Sequence, residues 1–252
     1  MILDCSTLET TLASLEPLLG MRADQIRDRL MAPELNPANE SLLKGDITIK
    51  LLEAFPGRTD DWPYTCIAWF HLTRTCDLKR FREGLKPLPH VIDQIWADLR
   101  AACDKEGIVL EWQELRDWVE TESTGHYAKL YRLKQEPGMQ GPFGMLLLES
   151  ATHESPGDNH YLRCPETIED ICKEFKARTG IDLIDAYQKN TKPVVVKFLD
   201  QAPCAECSEA AIYYAYGSLW NQEYGSGWNV YFDGDGNSVP ASMIASVDYI
   251  GI

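Results

Sequence analysis

The stretch Tyr64 to Leu72, YTCIAWFHL, is the part of the sequence that decides the fold class. It is short, apolar and rich in aromatic and β-branched residues, which favours a buried strand over a helix. Much further along the chain, Pro193 to Leu199, PVVVKFL, has the same character and is the clearest strand in the sequence. We therefore predict a sheet whose main strands are far apart in the chain.

Helices dominate the residues that precede the first strand. Ser6-Thr7-Leu8-Glu9 has the pattern of a helical capping box, and leucines follow at helical spacing at Leu8, Leu12, Leu15 and Leu19. Two more helices are predicted over residues 22–31 and 39–54. The composition changes near residue 60, so we predict a helical N-terminal segment over residues 1–60 and an α+β domain over residues 61–252.

Helices and short strands alternate after residue 60. Helical patterns occupy residues 77–83, 89–106, 111–122, 165–178, 181–189 and 207–217, and a last helical turn begins at Pro240. Further strand candidates are residues 143–148, 160–163 and 228–232. The predicted fold class is α+β, with mixed helices and short strands around a small split sheet.

Charge and composition limit the compartment and the partners. The 252 residues include 24 Lys and Arg against 39 Asp and Glu, a net charge of −15. Such a field repels nucleic acids and anionic membranes, and the sequence carries no strong nucleic-acid signal. It also has no signal-peptide pattern and no apolar run of membrane-spanning length. We therefore expect a cytoplasmic protein whose eight cysteines are mostly reduced thiols.

A basic cluster follows the first strand. Five basic residues between positions 74 and 86 stand against Asp77 and Glu83, and they are Arg74, Lys79, Arg80, Arg82 and Lys86. A local positive field in an acidic protein suits a ligand that carries phosphates. His71 lies at the end of the strand, followed by Thr73, so the pair could hydrogen-bond a ribose beside a pyrophosphate. The sequence thus predicts a nucleotide ligand.

These residues resemble the opening of the ADP-ribosyltransferase superfamily. The likeness consists of a strand with His71-Leu72-Thr73, followed by a short helix that ends in Gly84-Leu85. Val239-Pro240, with Ile244 and Val247 after it, is similar to the close of several such domains. The resemblance spans roughly residues 64–252, although its specific part is a handful of residues.

The resemblance implies NAD as cofactor and transfer of ADP-ribose to a macromolecular acceptor. In the superfamily a histidine holds the adenosine ribose, an aromatic residue stacks on nicotinamide, and a late glutamate steadies the oxocarbenium-like transition state. It implies the first role for His71, with Glu223 as the candidate for the late acid, although no motif matches Glu223. The candidates for binding the cofactor are Thr73, Arg74, Arg80 and, for stacking, Tyr161.

A second pair of motifs resembles the zinc-dependent nucleoside and nucleobase deaminases. Cys164-Pro165-Glu166 begins one predicted helix, and Pro203-Cys204-Ala205-Glu206-Cys207 precedes another. In that family three ligands at two helix N-termini hold zinc, and a glutamate beside the open position moves protons. The resemblance implies Cys164, Cys204 and Cys207 as ligands and Glu166 as acid–base. The segment between the motifs is longer than the family pattern.

Two further interpretations complete the alternatives. A non-catalytic binding or regulatory protein could carry all of these motifs incidentally. Cys204-x-x-Cys207 also has the spacing of a redox pair, but no thioredoxin-type βαβ pattern surrounds it. NAD-dependent transfer is the leading hypothesis, because the strand, the histidine and the basic cluster come together as one unit.

Overall fold

A computed structural model describes residues 1–38, 47–59, 61–152, 160–201, 204–222 and 229–251. The chain divides into two compact units, each built from more than one stretch. The first unit consists of Met1–Phe70, Met145–Asn159 and Leu199–Phe232. The second consists of His71–Gly144, His160–Phe198 and Asp233–Ile252. The helical segment predicted for residues 1–60 lies within the first unit.

Helices account for most of the described structure. The α-helices are α1 (Leu8–Leu19), α2 (Ala23–Leu30), α3 (Ile47–Glu53), α4 (Ile92–Lys105), α5 (Trp112–Asp117), α6 (His126–Leu133), α7 (Leu148–Thr152), α8 (Glu166–Thr179), α9 (Ile184–Asn190) and α10 (Ala205–Leu219). Tighter 3-10 turns cover Pro33–Leu35, Leu78–Glu83, Leu88–His90 and Ala241–Met243, and a wider π-helical turn covers Trp118–Glu122. Among these helices, none combines the length and the apolar character needed to cross a bilayer.

The strands form one small sheet, which confirms the α+β class. They are β1 (Ile2–Leu3), β2 (Cys66–Thr75), β3 (Phe143–Met145), β4 (Lys192–Asp200), β5 (Tyr231–Asp233) and β6 (Ile244–Tyr249). The strand order is β5-β3-β2-β4-β6, and β1 pairs with β2 in parallel. Strand β3 pairs with β2 in the antiparallel sense at Phe70 and Met145. Strand β6 is antiparallel to β4 and has a register shift between Lys197 and Phe198.

The first unit packs its N-terminal helices against α10. Leu12, Leu15 and Leu19 are fully buried on α1, as their helical spacing predicts. The cap of α1 is Thr7, one residue later than predicted, and it exchanges hydrogen bonds with Thr10 in a capping box. The indole N–H of Trp220, just after α10, donates to the Leu30 carbonyl at 3.0 Å. Thus α10 is joined to α2 by a polar contact as well as by apolar packing.

The second unit has its own core around α4, α6, α8 and α9. The Trp96 indole donates to the hydroxyl of fully buried Tyr131 at 3.0 Å, and that hydroxyl donates to Glu120 at 2.9 Å. The buried carboxylate of Glu174, on α8, accepts from the Ala128 N–H in the first turn of α6 at 3.2 Å and from the Ser123 hydroxyl. A carboxylate suits a helix N-terminus because the first amides there lack intrahelical acceptors.

Some sequence predictions differ from the structure. Residues 160–163 form a turn and not a strand, because the amides of Arg163 and Cys164 both donate back to the His160 carbonyl, at 2.8 and 2.9 Å. The strand predicted over residues 143–148 ends at Met145, and α7 begins at Leu148. Strand β6 was not predicted. Part of the helix predicted over residues 39–54 lies outside the described residues.

Gly84 lies at a point where two distant segments meet. Leu85 and Val239 form an isolated antiparallel bridge, with N–H to carbonyl distances of 2.9 and 2.8 Å. Gly84 has φ 91° and ψ −166°, a conformation that is essentially restricted to glycine. A Cβ built on Gly84 falls 2.0 Å from the Val239 carbonyl oxygen. The close approach of the two segments therefore requires glycine here.

We expect Gly84→Ala to lower the free energy of unfolding by about 3 kcal/mol, because it adds a backbone clash to the cost of the disfavoured conformation. Gly180→Ala is the matched control, since Gly180 also has a positive φ but a Cβ there meets no atom within 4 Å. The control should lose only about 1 kcal/mol. Urea unfolding of both variants measures the difference, and equal losses would contradict the close approach.

Candidate functional site

His71 lies on β2 with its imidazole fixed by the neighbouring strand. Its Nδ1 is 2.8 Å from the carbonyl oxygen of Phe143 on β3. A carbonyl oxygen only accepts hydrogen bonds, so Nδ1 carries the hydrogen. In the neutral ring Nε2 is then an acceptor, and the described residues give it no hydrogen-bond partner. The half-buried ring therefore offers one oriented acceptor to a donor group.

The environment of His71 keeps the imidazole neutral. Burial lowers the pKa of His71 below its usual value, the hydrogen bond to Phe143 opposes that shift, and the positive charge of Arg80 adds to it. Desolvation disfavours the charged imidazolium because a buried cation loses its hydration. At neutral pH Nε2 therefore keeps its lone pair, which suits a hydroxyl donor better than a phosphate.

Thr73 shares the face of β2 that carries His71, because side chains two residues apart on a strand point the same way. It is half-buried. Arg80 lies in the 3-10 turn after β2, and its guanidinium makes an ion pair with Asp98 of α4 at 2.7 Å. That pairing partly neutralises Arg80, so a phosphate at this position would have to compete with the Asp98 carboxylate.

The rest of the basic cluster divides into paired and unpaired cations. Lys86 makes an ion pair with Glu83 three residues earlier. Lys79 and Arg82 are exposed, and neither has an ion-pair partner among the described residues. The predicted positive field is therefore carried chiefly by these two side chains.

Arg74 lies on the opposite face of β2 and is occupied by the protein itself. It is 8% exposed, and it donates to the carbonyls of Leu162 at 2.6 Å, Gln188 at 2.9 Å and Thr191 at 2.8 Å. A fourth hydrogen bond reaches the Thr191 hydroxyl at 3.1 Å. Four of the five guanidinium hydrogens are thus used. The structure gives Arg74 a structural role in joining β2 to the segments around α9.

Tyr161 and Glu166, which came from the two different family resemblances, lie together. The Tyr161 hydroxyl donates to the Glu166 carboxylate at 3.2 Å. Glu166 also lines a pocket of about 340 Å³ between α6 and α8. The two lysines of this pocket are paired with carboxylates of α8, Lys134 with Glu166 and Asp170, and Lys173 with Glu169. The charges that line this pocket therefore largely neutralise one another.

The remaining catalytic candidate, Glu223, lies outside the described residues, so its role stays a prediction. Pro203 of the deaminase-like motif also lies outside them.

The three cysteines of the zinc hypothesis have different surroundings. Cys204 and Cys207 are joined to each other in a disulfide. Cys164 is a buried thiol whose pKa is raised to about 12, chiefly by burial. Zinc binds thiolates, so neither a disulfide nor a thiol held in its protonated form is ready to bind it. Across the described part of the chain, no group of three or more His, Cys, Asp or Glu side chains is arranged to hold a metal ion.

Comparison of the chain with protein-family models, curated proteins and solved structures finds no significant match.

Sequence reasoning missed the buried carboxylates of α8. Asp170 and Glu174 are 5% and 4% exposed, and burial raises the pKa of Asp170. The sequence pattern could have indicated these two acids, because they follow Glu166 at intervals of four residues and directly precede the apolar residues Ile171 and Phe175. An acid on an apolar helix face indicates a buried partner, here Lys134 for Asp170.

We expect Arg74→Lys to lower the free energy of unfolding by about 3 kcal/mol, because one ammonium cannot reach the carbonyls that the planar guanidinium joins. Arg82→Lys, at an exposed position after the same strand, should stay within about 0.5 kcal/mol of the wild type. Urea unfolding checks both variants. An unchanged stability for Arg74→Lys would show that the guanidinium is not structural and would return it to the ligand-binding candidates.

Proposed function

We propose that this chain binds NAD through its second unit and transfers ADP-ribose to a macromolecular acceptor. The observation that carries the proposal is the neutral, oriented imidazole of His71, fixed through Nδ1 by the Phe143 carbonyl. A ribose hydroxyl can donate to the Nε2 of such a ring, while the ring's fixed orientation makes the contact directional. This is the role that the superfamily resemblance implies for His71.

The pairing of the two short motifs supports the same proposal. Gly84-Leu85 and Val239-Pro240 carry the two ends of the resemblance and are far apart in sequence. In the structure Leu85 and Val239 are hydrogen-bonded to each other through both backbone amides. Both motifs belong to the second unit, as does His71. The two motifs therefore lie side by side, which supports the proposal.

The cations of the basic cluster without an ion-pair partner among the described residues are the candidates for binding the pyrophosphate. Lys79 and Arg82 follow β2 and are exposed, whereas Arg74 is hydrogen-bonded to the protein itself and Arg80 is paired with Asp98. Phosphate oxygens are strong acceptors for such cations. We therefore assign the pyrophosphate contacts to Lys79 and Arg82 first, with Arg80 joining them only if it leaves Asp98.

The proposed reaction breaks the bond between the nicotinamide nitrogen and C1′ of its ribose, and nicotinamide leaves with the bonding electrons. A nucleophile of the acceptor bonds to C1′ and loses its proton. His71 would bind and orient the adenosine ribose, away from the reacting carbon. Glu223 remains the candidate for the acid that steadies the cationic transition state.

The deaminase hypothesis gains no support from the site geometry, since the Cys204–Cys207 disulfide leaves two of its three ligands without a thiolate. The binding or regulatory alternative treats the motifs as incidental and has no chemical step. Release of nicotinamide from NAD separates the two, because a binding protein holds the nucleotide without cleaving it.

We expect NAD to raise the melting temperature, because a ligand that binds only the folded state stabilises it. At about ten times the Kd the shift should be about 4 °C. His71→Ala should remove most of this shift while the protein without NAD keeps its fold. His90→Ala is the matched control, since His90 is an exposed histidine of the same unit and should leave the shift unchanged. Thermal unfolding with and without NAD gives the answer.

Two results would contradict the proposal in different ways. An unchanged melting curve at millimolar NAD would remove the nucleotide site itself. A normal shift without nicotinamide release, even in the presence of candidate acceptor proteins, would leave a nucleotide-binding protein without transferase activity.

The affinity for NAD should fall on the acid side of neutrality. Protonation of His71 converts the Nε2 acceptor into a donor, and the pKa of the ring lies below its ordinary value of 6.5. Affinity should therefore be constant above that pH and be lost only as the pH falls below it. His71→Gln, whose amide does not titrate, should bind without this dependence. Calorimetric titrations between about pH 5 and 8 measure it, and the same acid loss in the glutamine variant would exclude His71 as its cause.

A further inference from the structure

The start of α10 carries a disulfide that the proposed NAD site does not use. Cys204 is the residue immediately before the helix and Cys207 lies in its first turn, and the two sulfurs are bonded to each other. The other six cysteines are free thiols. This is therefore the one pair among the eight cysteines that the structure joins.

The two sulfurs of the pair differ in access. Cys207 is completely buried, whereas Cys204 is half-buried and is followed by the exposed residues Ala205 and Glu206. An incoming sulfur nucleophile can therefore approach only Cys204. The leaving sulfur of such an attack is then Cys207, beneath the first turn of the helix.

The backbone of α10 is arranged to stabilise negative charge on the Cys204 sulfur. The amide N–H of Cys207 points at the Cys204 sulfur, at an N to S distance of 3.2 Å. The first amides of a helix have no intrahelical acceptor, and they stabilise an anion placed before them. A thiolate at Cys204 would therefore accept a hydrogen bond from the Cys207 amide. Thiolates are the reactive form of cysteine.

The bond is poorly placed to act as a structural staple. A disulfide stabilises a fold mainly by restricting the unfolded chain, and the effect is smaller for shorter loops. Cys204 and Cys207 are three residues apart, at the cap and in the first turn of one helix. Buried helix residues hold α10 in the first unit independently, among them Ala211, Ile212 and Ala215.

We propose that Cys204 and Cys207 form a redox-active pair that exchanges electrons with thiol and disulfide substrates. In the oxidising direction, a substrate thiolate attacks the Cys204 sulfur and forms a mixed disulfide with it. The bond between Cys204 and Cys207 breaks, and the Cys207 thiolate leaves and takes a proton from water.

A second substrate thiolate then attacks the substrate sulfur of the mixed disulfide. This step releases the substrate disulfide and leaves a thiolate at Cys204. Overall, two substrate thiolates are oxidised to one disulfide, and the pair gains two electrons and one proton, which Cys207 carries while Cys204 remains a thiolate. The reverse sequence, starting from the Cys204 thiolate, reduces a substrate disulfide.

The first test traps the mixed disulfide at the Cys204 sulfur. Cys207→Ser cannot complete the exchange, so incubation with oxidised glutathione should attach one glutathione to Cys204 about tenfold faster than to Cys76. Cys76 is the internal control, because it is exposed and precedes no described α-helix. Cys204→Ser is the matched variant, in which buried Cys207 should stay unmodified. Peptide mapping after rapid alkylation locates and times each addition.

The second test uses the unaltered protein and does not depend on how the variants fold. In buffers of reduced and oxidised glutathione the pair should titrate reversibly between a disulfide and two alkylatable thiols. The reduced protein should keep its helical circular dichroism and melt no more than about 8 °C below the oxidised protein. A parallel assay with insulin, whose disulfides are on a protein, and with a small dithiol as the electron source distinguishes protein substrates from small thiols by whether turnover exceeds that of the Cys204→Ser variant.

Several outcomes would overturn the redox assignment. One is glutathione addition at Cys204 that is no faster than at Cys76. Another is modification of Cys207 in the Cys204→Ser variant at the rate of Cys204 in the Cys207→Ser variant. A third is a disulfide that does not titrate in glutathione buffers. A large drop in melting temperature on reduction would make the bond a structural staple. None of these outcomes bears on NAD binding, so the two proposals fail or stand separately.

Discussion

The buried guanidinium of Arg74 is the interaction on which the second unit depends. A cation removed from water loses several kcal/mol of solvation unless other groups replace the lost hydrogen bonds. Here the replacements are carbonyl oxygens of Leu162, Gln188 and Thr191, and burial lowers the pKa of Arg74. The Tyr187 hydroxyl also donates to the carbonyl of Arg74 itself, at 3.2 Å. Strand β2 is thereby held to α9 and to the turn before α8, and the position of His71, three residues earlier, follows from that anchoring.

This constraint changes how the basic cluster should be understood. A count of charges after β2 indicates a single positive surface that could bind an anion, but the basic residues of the cluster have different roles. Arg74 stabilises the backbone, Arg80 is paired with Asp98, and only Lys79 and Arg82 have charge exposed to solvent without a described ion-pair partner. The acceptor nitrogen of His71 is consequently the most specific chemical feature of the face that carries Thr73. Recognition by hydrogen bonding to a hydroxyl, with charge as a secondary contribution, fits this arrangement.

Sequence alone predicted the parts of the fold that depend on local periodicity. The leucines of α1, the strand around residues 66–72 and the PVVVKFL strand all carry patterns that neighbouring residues determine. Strand β6 escaped prediction because Ile244–Tyr249 is only half-buried and lacks a continuous apolar run. The turn at residues 160–163 is fixed by backbone hydrogen bonds to His160, which no side-chain pattern encodes.

The candidate site was less predictable for related reasons. His71 and its strand could be found, since the residue types are distinctive and adjacent. The partners of Arg74 are main-chain carbonyls, which every residue possesses, so no sequence signal separates a structural arginine from a phosphate ligand. Cys204-x-x-Cys207 has one spacing for two chemistries, a pair of zinc thiolates or a disulfide. In the structure the two sulfurs are bonded to each other, which the spacing alone does not indicate.

The division of each unit into separate stretches has a consequence for how the chain reaches its native state during synthesis. Helix α2 is synthesised early, but the hydrogen bond to the Leu30 carbonyl can form only after Trp220, 190 residues later, has been added. Likewise, β4 can pair with β6 only after residues 244–249 have been added. Contacts of such high sequence separation form slowly, because long loops must close before the contact energy is gained. The apolar surface that α1 and α2 bury against α10 therefore stays uncovered until Ala205–Leu219 has been synthesised.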